Sequence, residues 1–105
     1  MMGSGFRVVS GDGETIEKDA LGVLDYGVDW TQWLKAGETI SNSAWEVPAT
    51  ITLEASPAPG INAGITFLWL SGGGAIGVKH FIRNTITTNQ GRTEVRSFTI
   101  IISKR

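Results

Sequence analysis

Two carboxylates and two tryptophans crowd into one stretch of the chain, LGVLDYGVDWTQWL, residues 21–34. Paired carboxylates can act as general acid and base, or hold a divalent cation. Tryptophans at a strand end can stack on sugar rings or meet a partner protein. Leu24, Tyr26, Val28 and Trp30 alternate with Asp25, Gly27 and Asp29, which is the period of a half-buried strand. Four residues at a rise of about 3.3 Å put the two carboxylates roughly 13 Å apart. A glycosidase pair needs roughly 5–10 Å, so hydrolysis by Asp25 and Asp29 is disfavoured. The pair is expected to face water or a partner, opposite a core-facing Leu24–Tyr26–Val28–Trp30 stripe. Trp30 and Trp33 then close one end of the fold, or present rings to a sugar or a protein.

The other motifs point to structure. GGGAIG, with Gly72, Gly74 and Gly77, matches the glycine spacing of a dinucleotide loop. That loop needs a helix behind it to receive the pyrophosphate. Here the β-rich VKHFIRNTITT follows, and only residues 78–105 remain, too few to complete a nucleotide-binding sheet. The spacing also misses the Lys-Ser/Thr of a phosphate loop, so a tight turn between strands is expected. His80 is the only histidine, which rules out a histidine-rich zinc site in one chain. Its period-two neighbours Val78 and Ile82 mark it as a hydrogen-bonded core residue. Asp12, Glu14 and Asp19 lie in a stretch without the spacing of an EF-hand loop. No metal ligand set, cofactor site or catalytic residue is assigned. Asn84 sits on the same apolar face as Ile82 and Ile86. A buried amide is costly unless bonded, so Asn84 is expected to tie a loop or bulge to the sheet.

The elements that position these residues read as strands. The chain has 105 residues and no cysteine, enough for one domain and without a disulfide framework or thiolate chemistry. A net charge of −1 gives no argument for nucleic acid or an anionic membrane. No apolar run reaches the roughly 18–20 residues of a membrane helix. Residues 1–18, rich in Gly, Ser and Asp with an apolar patch at Phe6 to Val9, read as a flexible arm or weakly docked strand. Residues 19–105 read as a single β-sandwich domain. Strands are expected at Leu24–Trp30, about Thr39–Val47, ATITLEAS, ITFLWLS, about Ile76–Thr88 and from Arg92 to Lys104, the last long enough for two half-strands. WTQWLKAG has room for one helical turn. Trp45 and Trp69 lie within strands and are assigned to the core. The spacing predicts an all-β, immunoglobulin- or fibronectin-III-like antiparallel sandwich of about six to seven strands.

LDYGVDWTQWLKAGETI, the isolated Trp45, WLSGGGAIG and NTITTNQGRTEVRSFTI together resemble the small immunoglobulin-like proteins of tailed phages and prophages. These are commonly described as fiber–tail adaptor or tail-region proteins. The resemblance spans about residues 19–105. It implies a sandwich without catalysis and a place in the virion of a phage or prophage, made in the bacterial cytoplasm. Its partners would be other tail or virion proteins, or further copies of the chain, with no nucleic acid and no membrane insertion. The chain departs from the family pattern at His80, Phe81 and Ile82, where Phe81 points away from the core and marks a partner-facing sheet. The candidate partner contacts are Phe81, Ile101, Trp30 and Trp33, with Phe67 or Leu68 as further apolar residues that a contact would bury. The alternative is a carbohydrate- or surface-binding module, which requires an exposed Trp30 or Trp33 ring.

Overall fold

Alternation becomes strand wherever it is longest. The computed structural model describes residues 7–9 and 11–103, so the part of the expected arm at residues 1–6, including Phe6, lies outside the described residues. The strands are β1 (Arg7–Val9), β2 (Glu14–Asp19), β3 (Val23–Asp29), β4 (Ile40–Glu46), β5 (Thr52–Leu53), β6 (Gly60–Asn62), β7 (Ile65–Ser71), β8 (Lys79–Thr88) and β9 (Thr93–Ser103). One sheet runs β1-β3-β7-β5, with β6 also on β7, and the other runs β2-β9-β8-β4. This is the expected sandwich, with nine strands among the described residues in place of six or seven. The additions are β1 and β6, of three residues each, and β2, of six, none of which was expected as a firm strand.

Two pairings are parallel, against an expectation of antiparallel strands throughout. β1 runs parallel to β3, and β2 parallel to β9 across Glu14↔Phe98 to Asp19↔Ser103. The stretch read as an arm or weakly docked strand thus contributes one edge strand to each sheet. The residue 18/19 boundary falls inside β2. β9 is one continuous strand of 11 residues and not two half-strands. ATITLEAS keeps only two strand residues, with Ile51 buried beside them. Pro48 and Pro57 bracket it and cannot donate to a ladder. WTQWLKAG forms a single turn, in which the Trp33 and Leu34 amides both donate to the Trp30 carbonyl.

The core lies between the sheets. Tyr26, Val28, Trp30, Leu68 and Leu70 meet Ile82, Ile86, Phe98, Ile100 and Ile102, all at most 1% exposed. Burying each such aliphatic or Phe side chain is worth about 1.5–3 kcal/mol. Trp45 is half-buried against this core, its ring edge-on to Phe98. Trp69 departs from its expected core position. β7 is apolar on both faces, and Thr66, Leu68 and Leu70 take the inside, which turns Ile65, Phe67 and Trp69 outward. The polar Thr66 belongs inside because its hydroxyl has a buried partner there. Leu68, expected at a contact, is in the core at 0% exposure.

Candidate partner-binding surfaces

The interior polar groups hold the sandwich together. Asn84 on β8 uses its amide fully. Its Nδ2 donates to Ser43 Oγ (2.9 Å) and the Ala44 carbonyl (3.1 Å) on β4. Its Oδ1 accepts from Thr66 Oγ1 (2.6 Å) and Trp30 Nε1 (3.1 Å) in the opposite sheet. Asn84 therefore ties β4 next to its bulge, as expected, and also joins the two sheets, which the sequence did not disclose. Trp30 closes one end of the core at 0% exposure, so it offers no ring to a sugar or a partner, and both contact readings of this residue are corrected.

His80 is a bonded core histidine. Its Nε2 lies 2.6 Å from the Gly73 carbonyl and its Nδ1 2.8 Å from Thr50 Oγ1. A carbonyl only accepts, so Nε2 carries a proton and donates it to Gly73, while Nδ1 shares its hydrogen bond with the Thr50 hydroxyl. GGGAIG is the turn that brings this carbonyl inward. Gly73 has φ of 117°, and a Cβ there would lie 2.5 Å from Ile102 Cδ1. Next to it Lys18, 1% exposed, donates from Nζ to the carbonyls of Gly72 (2.7 Å) and Asp19 (2.8 Å). Burial pushes the Lys18 ammonium below its usual pKa, partly offset by Asp19.

At the other end of β8, Glu38 and Arg92 form a fork that sequence reading missed. Arg92 donates from Nη2 to Glu38 Oε1 (2.5 Å) and from Nε to Oε2 (2.8 Å). Thr88 Oγ1 and the Lys35 amide also donate to the carboxylate. The Arg92 hydrogen bonds hold the Glu38 carboxyl down to about 2, against the opposing pull of burial. The guanidinium lies 3.8 Å over the Trp33 ring and bonds the Trp33 carbonyl. Trp33 is half-buried, with Arg92 on its ring and Trp30 edge-on at 5.6 Å.

The solvent-facing surface lies on the outer faces of the two sheets. On the β2-β9-β8-β4 sheet, Phe81 is 71% exposed and Val95 42%, with Ile101 half-buried in the neighbouring row beside Lys79. Phe81 and Val95 border a depression of about 470 Å³ that also involves Arg83, Glu46, Asp12 and Ser97. Arg83 Nε meets Glu46 Oε1 at 3.2 Å, an exposed pair worth at most about 1 kcal/mol. Asp12 accepts from the Ser97 amide (2.7 Å) and hydroxyl, which pins the turn before β2 to β9. The other outer face carries Val23, Phe67 and Trp69, with Asp25 opposite Trp69 and Asp29 opposite Ile65. Asp29 accepts from the Thr31 amide and hydroxyl as a turn cap. Among the described residues no three His, Cys, Asp or Glu side chains gather as a metal site. Asp12, Glu14 and Asp19 each accept from a different backbone amide.

Phe81 and Ile101 thus lie together on one open face, Trp33 sits at an end beneath Arg92, and Trp30 is inside. Comparison with known proteins bears on what such a surface is for. A family model described as podophage GP4 fiber-tail adaptor protein gp77 matches residues 18–101, and the chain belongs to that family. Comparison with curated protein sequences gives no match. Among solved structures, the cysteine protease inhibitor EhICP2 from Entamoeba histolytica is similar at 13% identity and a TM-score of 0.56, covering 92% of this chain and 94% of that one. The PKD domain of the KIAA 1837 protein is similar at 14% identity and a TM-score of 0.52, covering 100% and 93%. At these identities the likeness concerns the sandwich fold alone.

Proposed function

We propose that this member of the fiber-tail adaptor family is a non-catalytic virion protein that joins components of a phage tail. The observation that carries this reading is the family match over residues 18–101. The arrangement of polar groups agrees with it. His80, Asn84, Thr66 and Glu38 each have hydrogen-bond partners within the fold. The contact residues we assign are Phe81 and Ile101, with Val95 and Lys79 beside them. An apolar side chain 71% exposed is unfavourable in water and favourable under a partner. Trp33 is kept as a rim contact through Arg92, and Trp30 is dropped. The sugar-binding alternative calls for an open Trp30 or Trp33 ring, and Trp30 is buried while Arg92 covers Trp33.

The test is quantitative mass spectrometry of purified particles of the phage or induced prophage that encodes the chain. The chain is expected at a fixed copy number per particle, and Phe81→Ser is expected to lower that number without lowering Tm. Particles that lack the wild-type chain would overturn the adaptor reading.

A further inference from the structure

Every open sandwich has sheet edges, and here they are unequal. β1, β5 and β6 are two or three residues long, too short to template a partner strand. β2 carries Glu14, Glu17, Lys18 and Asp19, with Lys18 turned inward, a protection against edge pairing. β4 differs from all of these. Its seven residues, ISNSAWE, contain no proline, no lysine or arginine, and a single charge at the last position. Among the described residues β4 pairs with β8 alone, and no backbone hydrogen bond joins it to β6 across the seam. A bulge between Ile40 and Asn42 restricts the regular part of this edge to Asn42–Glu46.

The seam beside β4 is a groove with two compartments. One, about 230 Å³, is lined by Ser41–Ser43 and Pro59–Ile61. The other, about 310 Å³, lies between Leu34, Ile40, Ile61 and Gly64. Ile61 borders both and is 40% exposed. Among the described residues the only ionisable group on this lining is Glu38, which is buried and paired with Arg92. The groove is electrically quiet, apolar at one end and bordered by an open strand edge.

We infer that β4 is the docking edge for an extended, uncharged segment of a partner tail protein, which adds as a strand and sets an apolar side chain into the Leu34–Ile40–Ile61 compartment. Main-chain hydrogen bonds to β4 supply affinity, and the compartment fixes register through one side chain of the incoming strand. The groove lining exposes no charge, which selects a neutral segment at that end, since a Lys or Asp set into it would be desolvated without a counter-ion. This inference rests on the adaptor reading and names the kind of partner that reading requires.

Amide hydrogen exchange measured on the free chain and on the chain within purified particles tests it. The outward-facing amides of Asn42–Glu46 are expected to slow by more than about tenfold in particles. Ile61→Glu, at a half-open position, is expected to keep the Tm of the free chain and to reduce incorporation more than about tenfold. β4 amides that exchange equally fast in both states, with the chain present in particles, would overturn the inference and leave the adaptor reading standing. Protection of β4 in the free chain, together with a dimer mass in solution, would make the occupant a second copy and also overturn it. A chain absent from particles would remove both.

Discussion

The two ends of β8 are both closed by buried polar side chains, and they do it differently. His80 and Thr88 are eight residues apart, roughly 26 Å along the strand. At the Thr88 end, the Glu38 carboxylate is met by a guanidinium, a hydroxyl and an amide, so the buried charge has an opposite charge in contact. At the His80 end, the Lys18 ammonium is met by two carbonyls, and His80 bridges a carbonyl and a hydroxyl. One end is an ion pair that fastens the loop after β3 to the β8–β9 hairpin. The other is a buried cation folded onto a glycine turn, with the Asp19 charge as a partial offset. Once a buried ion pair is formed, removing one partner is costly because it strands the other charge away from water.

Breaking the matched end should cost most. Glu38→Ala leaves Arg92 without its anion and removes the acceptor for Thr88 and Lys35. Tm is expected to fall by more than about 10 °C in a thermal melt. A fall of less than about 3 °C would mean that the fork merely decorates the surface.

The centre of β8 comes next. Asn84→Leu removes the amide that links β4, Trp30 and Thr66, and is expected to cost about 2 kcal/mol in denaturant unfolding. A variant as stable as the parent would remove Asn84 from any joining role.

Titration sharpens the contrast. The Glu38 carboxyl is held at about 2 in the fold against 4.5 for the free group. A depressed carboxyl stabilises the fold fully above its unfolded pKa and loses that contribution as pH falls through its folded value. Stability should therefore decline from about 4.5 toward about 2, and more steeply in the parent than in Glu38→Ala. Parallel acid profiles would show that the pair does not govern acid stability.

The smallest effect belongs to the unmatched end. The Lys18 pKa is lowered, so the unfolded chain binds the proton more tightly and stability rises with pH between the folded value and 10.5. Lys18→Met keeps the volume and removes the charge. It is expected to fall within about 1 kcal/mol of the parent, on the stabilising side, and to flatten that alkaline rise. A clear destabilisation would show that the two carbonyl bonds outweigh the cost of burying the ammonium.

Much of this was readable in sequence where side chains alternate. The inward set His80, Ile82, Asn84 and Ile86, the stripe Tyr26–Val28–Trp30, and the outward Phe81 follow from period two alone. Asn84 was conspicuous because an amide among isoleucines needs partners. Trp69 was misplaced because a strand apolar on both faces gives no cue to its orientation. The partner of Asn84 that fixes the matter, Thr66, lies 18 positions away. Glu38 and Arg92 were invisible for the same reason, since KAGETI and NQGRTE both read as ordinary solvated turns and their 54-residue separation carries no periodic signature. The β4 edge is likewise a property of topology, because a sequence does not say which strand ends up last in its sheet.

The parallel pairing of β2 with β9 has a mechanical meaning. A pull that enters at the start of β2 and leaves at the end of β9 acts at opposite ends of one ladder, along the strands. The bonds from Glu14↔Phe98 to Asp19↔Ser103 are then loaded together in shear, and the strands cannot be peeled apart one rung at a time. An antiparallel pair pulled in this way would unzip from its first rung. Tension applied across this ladder must therefore break its rungs together.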